Sequence, residues 1–273
     1  MDAVASDVTR IAGLAAHVQG HGPTMLLFHG GMGSWTHWTR NVDALACRFR
    51  IVAVDLPGFG DSPDVPEGTG VDAYLDRVAE AASAAGPGRL HLVGFSFGGA
   101  TAASVAVRLK DRLAALTLVG PGGFGEPKGR HIRLEKMPPP DAPWPELCRV
   151  LRHNLGQWML STSDAADEDT AALHWANIRR ARFDSRRVSL RASIDPDLRR
   201  LTAPVQVIWG ERDVLAYPSI AARAAVVRGA RPDARIAIVP GAGHWAQFER
   251  AEAVNRLLLD FHTQATEAGN HGV

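Results

Sequence analysis

Cysteine is nearly absent. Cys47 and Cys148 are the two in 273 residues, far apart and without a C-x-x-C spacing. That excludes a disulfide scaffold and leaves two buried or partly buried free thiols as the expectation. An excess of either charge is missing too: 30 Lys and Arg face 29 Asp and Glu, interspersed, for a net charge of +1. No long-range field favours nucleic acid or an anionic membrane surface. No apolar run approaches the roughly 18 residues of a membrane-spanning helix. The opening MDAVASDVTR lacks the charged-then-apolar pattern of a signal peptide, so the expectation is a cytoplasmic protein. Internal repeats are absent. The glycine-rich loops do not fit G-x-G-x-x-G and the histidines lack ligand spacing, so neither a nucleotide cofactor nor a metal is implied. The tail EAGNHGV reads as frayed. The oligomeric state is unreadable, with a homodimer as the default expectation.

What is present is a large apolar fraction, 46%, enough for a sizeable core. Short apolar runs alternate with helical patterns. AAHVQG, TMLLFHG, RIVAVDLPG, RLHLVGFS, LAALTLVGP, PVQVIWGERD and ARIAIVPGAGH read as strands, several of them continuously apolar as in strands covered on both faces. Helices are expected over 98–109, 219–228 and 251–262, the last with Val254, Leu257, Leu258 and Phe261 on one face. This alternation predicts the α/β class with a mostly parallel, doubly wound sheet.

The stretch from Gly122 to Leu201 breaks the rhythm. GPGGFGEPKGR and MPPPDAPWP open it. A helix follows with an apolar stripe of Leu147, Val150, Leu151, Leu155, Trp158 and Met159, then a second over TAALHWANIRRARF. The expected organisation is a core domain over 1–122 and 202–273, interrupted by a helical cap over 123–201. Insertions in open α/β sheets collect at the carboxyl ends of strands, where ligands bind.

The chemistry clusters at those strand ends. Gly94-Phe95-Ser96-Phe97-Gly98 fits G-x-S-x-G. A strand turning at once into a helix holds the serine in a strained conformation and needs small flanking residues, so the hydroxyl projects alone. A serine that merely caps the helix is the competing reading. A hydroxyl reacts only when a base takes its proton. His244, in GAGHWAQFER, follows the last strand. Asp213, in WGERD, follows the strand before it and would hold the imidazole tautomer. Glu211, two residues earlier, is its rival. The chain order Ser…Asp…His suits this architecture. HGGMGSW ends an early strand, and the backbone N–H of Gly31 or Met32, with that of Phe97, would form an oxyanion hole. Asp55 and Asp61 of DLPGFGDS read as loop-stabilising. Trp35, Trp38, Phe95, Phe97, Trp158, Trp175 and Trp245 suggest a largely hydrophobic pocket, shared with core packing.

His29-Gly30-Gly31, DLPGFGDS, GFSFGG, WGERD and GHWAQFE, in that order, resemble the α/β-hydrolase superfamily over nearly the whole chain. LVGPGG, HWANIRRARF and GHWAQFERAEAVNRLLLDF are similar to its meta-cleavage-product branch, which hydrolyses C–C bonds in dienoic keto acids from aromatic degradation. Trp245 after the histidine matches that branch. Phe95 stands where the branch favours a small polar residue. His174, before Trp175, stands where it carries an arginine for the substrate carboxylate, with Arg179, Arg180, Arg182 and Arg186 nearby as substitutes.

The sequence thus predicts a serine hydrolase of a small, largely apolar carbonyl compound. Ser96, Asp213 and His244 are expected to be catalytic, with Phe95, Trp158, His174, Trp175, Arg179 and Trp245 contacting substrate. C–C hydrolysis, an esterase or lactonase activity, and a non-catalytic small-molecule sensor on the same fold stay open.

Overall fold

The computed structural model describes residues 8–270. Eight strands, β1 (Thr9–Ile11), β2 (Leu14–Gln19), β3 (Thr24–Phe28), β4 (Arg50–Val54), β5 (Leu90–Phe95), β6 (Leu113–Val119), β7 (Val205–Gly210) and β8 (Arg235–Val239), form one sheet. Their order is β1-β2-β4-β3-β5-β6-β7-β8. β3 through β8 pair in parallel, and β1 and β2 form the antiparallel edge. Seven of the eight are the strands read from the sequence. β1 has three residues, too few to show a period.

Helices cover both faces. α1 (Val42–Ala46), α2 (Val71–Ala84), α3 (Phe97–Leu109), α4 (Trp144–Trp158), α5 (Glu168–Ile178), α6 (Arg186–Ser189), α7 (Ile194–Arg199), α8 (Ile220–Ala230), α9 (Ala246–Glu249) and α10 (Ala251–Asn270) follow in chain order. Side chains alternate across a strand. In β5, Leu90 and Leu92 pack into the core with α2, α3 and α8, while Val93 and Phe95 join the core with α1, α9 and α10. α3 runs Gly98, Gly99, Ala100, Ala102, Ala103, Ala106, all buried. Those small residues let its axis lie close on the sheet, so a bulky residue at Ala103 would overpack by about 1–3 kcal/mol.

Between β6 and β7 the described residues contain no strand, as the sequence predicts. The stripe on α4 buries Leu147, Val150, Leu151 and Leu155. α5 starts earlier than expected, because the Asp167 carboxylate caps it by accepting the Thr170 N–H at 2.7 Å. It also ends earlier, at Ile178, where the chain turns so that Arg180 and Arg182 reach Asp61 and Asp64. α10 runs eight residues past the expected His262. Glu267 to Asn270 of the tail are therefore helical, while the last three residues lie outside the described region. Cys148 is buried as expected, but Cys47, just after α1, is exposed.

Candidate active site

Ser96 joins β5 to α3 with φ 54° and ψ −114°, a left-handed conformation costly for a residue with a Cβ. Neighbouring glycines make the turn feasible. A Cβ at Gly94 would strike the Gly98 carbonyl oxygen, and one at Gly98 would strike the carbonyls of Phe28 and His29 at the end of β3. The capping alternative fails, since the Ser96 side chain makes no hydrogen bond to the helix.

The Ser96 hydroxyl lies 2.9 Å from His244 Nε2. His244 Nδ1 lies 2.9 and 3.0 Å from the Asp213 carboxylate oxygens. These contacts assign the proton to Nδ1, which donates to Asp213, and leave Nε2 to accept the serine O–H. Asp213 Oδ1 also accepts the Leu215 N–H at 2.9 Å, which fixes the carboxylate. Both side chains are almost fully buried. Glu211 is exposed and accepts the Gly241 N–H instead, away from the imidazole.

Gly31, Met32 and Phe97 line the same cavity as Ser96 and His244. Their N–H groups have no acceptor among the described residues. Met32 has φ 53°. The loop that carries it is pinned from below by buried histidines. His29 Nδ1–H donates to the Gly30 carbonyl at 2.7 Å, and its Nε2 accepts the Leu56 N–H at 3.0 Å. His37 Nδ1 accepts the Gly30 N–H at 3.2 Å. Burial pushes His29 down to about 4 and His37 well below the usual histidine range, so both stay neutral. Asp55 ties the next loop by accepting the N–H of Trp35 and of Asp61, at 2.7 and 2.9 Å, the stabilising geometry its sequence context predicts.

The cavity above Ser96 measures about 760 Å3. Phe95, Phe97 and Trp158 reach it, as do Phe183 and Trp209. Four of the six residues expected to contact substrate do not. Trp245 is fully buried, stacks on Phe248 and donates its indole N–H to the His37 carbonyl at 3.1 Å. Trp175 packs between α4 and α5 against Leu147, Leu151 and Ala171. Arg179 is the exposed C-cap of α5. His174 is buried behind the wall, its ring 6.3 Å from that of Trp158 and its Nδ1 unpartnered. Burial holds it down to about 4, so it carries no charge to offer an anion. The Phe95 ring packs against two other histidines. It lies 5.6 Å from His37 and 4.9 Å from His244, and leaves no room for a side chain at Gly30.

The alpha/beta hydrolase family profile matches residues 25–257. The chain belongs to the alpha/beta hydrolase family. It is similar to a 2-hydroxy-6-oxo-6-phenylhexa-2,4-dienoate hydrolase of Burkholderia cepacia, 32% identical over 257 residues, which are 89% of this chain and 88% of the relative. A 2-hydroxy-6-oxononadienedioate/2-hydroxy-6-oxononatrienedioate hydrolase of Comamonas testosteroni is 31% identical over the same shares. The solved meta-cleavage product hydrolase of Pseudomonas fluorescens IP01 shares the fold, with a TM-score of 0.74 at 22% identity over 94% of this chain and 98% of that one. The resemblance to C–C hydrolases read from the motifs is thus present across the chain. This α/β-hydrolase is an enzyme by family.

Within it, several cavity residues carry no sequence signal. Arg130 and Arg223 line the wall beside Asp213, and Ser185 faces Gly31. Asn177 sits deeper and links α5 to the turn after the glycine loop. Its Oδ1 accepts the Ser34 hydroxyl at 2.7 Å, and its amide donates to Thr36 Oγ1 at 3.0 Å. Among the described residues no three His, Cys, Asp or Glu side chains are grouped to hold a metal ion. No described helix is long and apolar enough to cross a membrane.

Proposed function

We propose that this hydrolase cleaves a small, largely apolar carbonyl compound through a covalent Ser96 intermediate. The observation that carries the reading is the line of hydrogen bonds from Ser96 through His244 to Asp213 beneath a cavity. Ser96 Oγ attacks the carbonyl carbon while His244 Nε2 takes its proton. Asp213 stabilises the imidazolium that forms. The N–H groups of Phe97 and of Gly31 or Met32 receive the developing oxyanion. His244 then protonates the leaving group, and water, activated by the same imidazole, releases the acyl group. Residues 123–201 act as a cap that supplies Trp158 and Phe183 to the cavity and shields the chemistry from solvent.

The named activities of the relatives support a C–C bond in a dienoic keto acid as the scissile bond. An ester or lactone is the second reading, favoured by the buried, neutral His174, which offers no charge to a substrate carboxylate where the resembling branch carries an arginine. Side-by-side turnover of a phenyl-substituted dienoic keto acid and a p-nitrophenyl ester separates the two. Ser96→Ala decides the mechanism: it is expected to lower kcat on the true substrate by 10^4-fold or more, on the order of what removing such a nucleophile costs elsewhere. Retained turnover in Ser96→Ala would refute the reading.

A further inference from the structure

We propose that Arg130 and Arg223 form an anion subsite in the cavity, built to hold a carboxylate carried by the substrate. The inference rests on the cavity being the substrate site and names a chemical class for what enters it. Arg223 is 7% exposed, although it carries a full charge. Its Nε donates to the Tyr217 carbonyl at 3.0 Å and its Nη1 to the Pro121 carbonyl at 3.1 Å. The ring of Phe124 lies 4.4 Å below the guanidinium. Nη2 makes no hydrogen bond to any described residue, so the carbonyls and the ring orient the fork without neutralising it. Arg130, half-buried, has one marginal contact, Nη1 to the Leu215 carbonyl at 3.5 Å.

Neither arginine has a carboxylate within 4.0 Å among the described residues. The acid that acts on both of them is Asp213, and its oxygens are already committed to His244 and the Leu215 N–H. The other two arginines in the cavity wall differ. Arg182 is paired with Asp64 and Arg186 with Asp184. Two cations turned toward one cavity repel each other, and each has lost part of its hydration. A carboxylate offers what both lack, since its oxygens match the guanidinium fork. Pro121 follows Gly120, whose Cβ position lies 3.0 Å from the His244 ring. The subsite therefore adjoins the His244–Asp213 pair, in the same cavity that Phe95 and Trp158 line. A substrate held there would place its carboxylate toward α8 and its apolar part against the aromatics.

Calorimetric titration of the full chain with pentanoate and with pentanamide tests this. The acid is expected to bind at least about 10-fold more tightly than the amide, the scale of one charge-assisted hydrogen-bonded contact. Arg130→Gln and Arg223→Gln should each erase most of that preference, and Arg130→Lys should keep part of it. Circular dichroism establishes that each variant is folded. Because Arg223 also holds two backbone carbonyls, Arg130→Gln decides the matter alone if Arg223→Gln does not fold. Equal or absent binding of the two probes, or an acid preference that survives Arg130→Gln, overturns the subsite. Labelling of wild-type Ser96 by a fluorophosphonate separately reports the catalytic reading, so failure of one is not mistaken for failure of the other.

Discussion

The two walls of the cavity are built on different terms. The lower wall is made of strand ends. Gly31, Ser96, Asp213 and His244 each follow a parallel strand, and the neighbouring backbones crowd so closely that glycine is required at Gly94, Gly98 and Gly210. The upper wall comes from the segment between β6 and β7. It contributes Trp158, Phe183 and Leu190, and it is tied down by Arg180 to Asp61, Asn177 to Ser34, and Glu249 to Ser161. The lower wall tolerates almost no change in backbone, so its chemistry is confined to fixed points. The upper wall is attached by side chains and by a few backbone hydrogen bonds, such as Arg182 N–H to the Gly58 carbonyl and Trp245 N–H to the Met159 carbonyl, and between those ties its shape is open to variation without disturbing the sheet. The comparison teaches where to look for reaction and where to look for selectivity.

The sharpest way to break that contrast is at Asp213. Asp213→Asn leaves the shape but removes the charge that fixes the Nδ1–H tautomer, and a loss in kcat on the order of 10^4-fold is expected. Glu211→Gln, two residues earlier on the same loop, should change kcat by less than about twofold, as an exposed residue outside the relay. Steady-state kinetics on one substrate compares them. Comparable losses in both would mean that the loop, not the Asp213–His244 bond, matters.

Legibility in the sequence follows the same division. The lower wall was readable because close backbone approach leaves its mark as glycine, and because Ser96, Asp213 and His244 stand beside recognisable strand ends. The upper wall was readable as two helices but not as a surface. His174 and Trp175 were both expected at the substrate, yet neighbours on a helix point about 100° apart. One turns into the buried layer beside His37, and the other into the seam with α4. Trp245 is turned away from the cavity although His244 faces it. Arg130 and Arg223 could not be singled out, because an arginine in an irregular stretch or on a short helix reads as solvated. Phe95 was visible as a departure from the resembling branch, but that its ring occupies the space over Gly30 is a matter of packing, not of pattern.

Both walls rest on histidines that folding keeps neutral, and acid should expose that shared weakness. Burial holds His29 of the lower wall and His174 of the upper one at about 4, as it does His91 behind the sheet. The unfolded chain, whose histidines titrate near 6.5, binds protons that the folded chain refuses until the pH nears 4. Stability is therefore full above about pH 6.5 and falls as the pH drops toward 4, by on the order of 3 kcal/mol for each such histidine. Urea midpoints measured from pH 7.5 down to 4 should decline across this window. A midpoint that stays level from pH 7 to 5 would contradict the buried neutral state.

The smallest effect separates two tryptophans of the upper wall. Trp158 closes α4 and faces the cavity, while Trp175 fills the seam between α4 and α5. Trp158→Ala should lower kcat/KM for an aromatic substrate by about 10-fold, the worth of an apolar contact of roughly 1–2 kcal/mol, and should move the melting temperature little. Trp175→Ala should do the reverse. It opens a half-buried void costing about 1–3 kcal/mol, which lowers Tm by roughly 3–10 °C in a chain of this size, with kcat/KM held within about twofold. The pair works as a cross-check because each variant supplies the control for the other. If Trp175→Ala instead changes substrate preference while Tm holds, the seam between α4 and α5 opens to the substrate, and the upper wall is deeper than its packing implies.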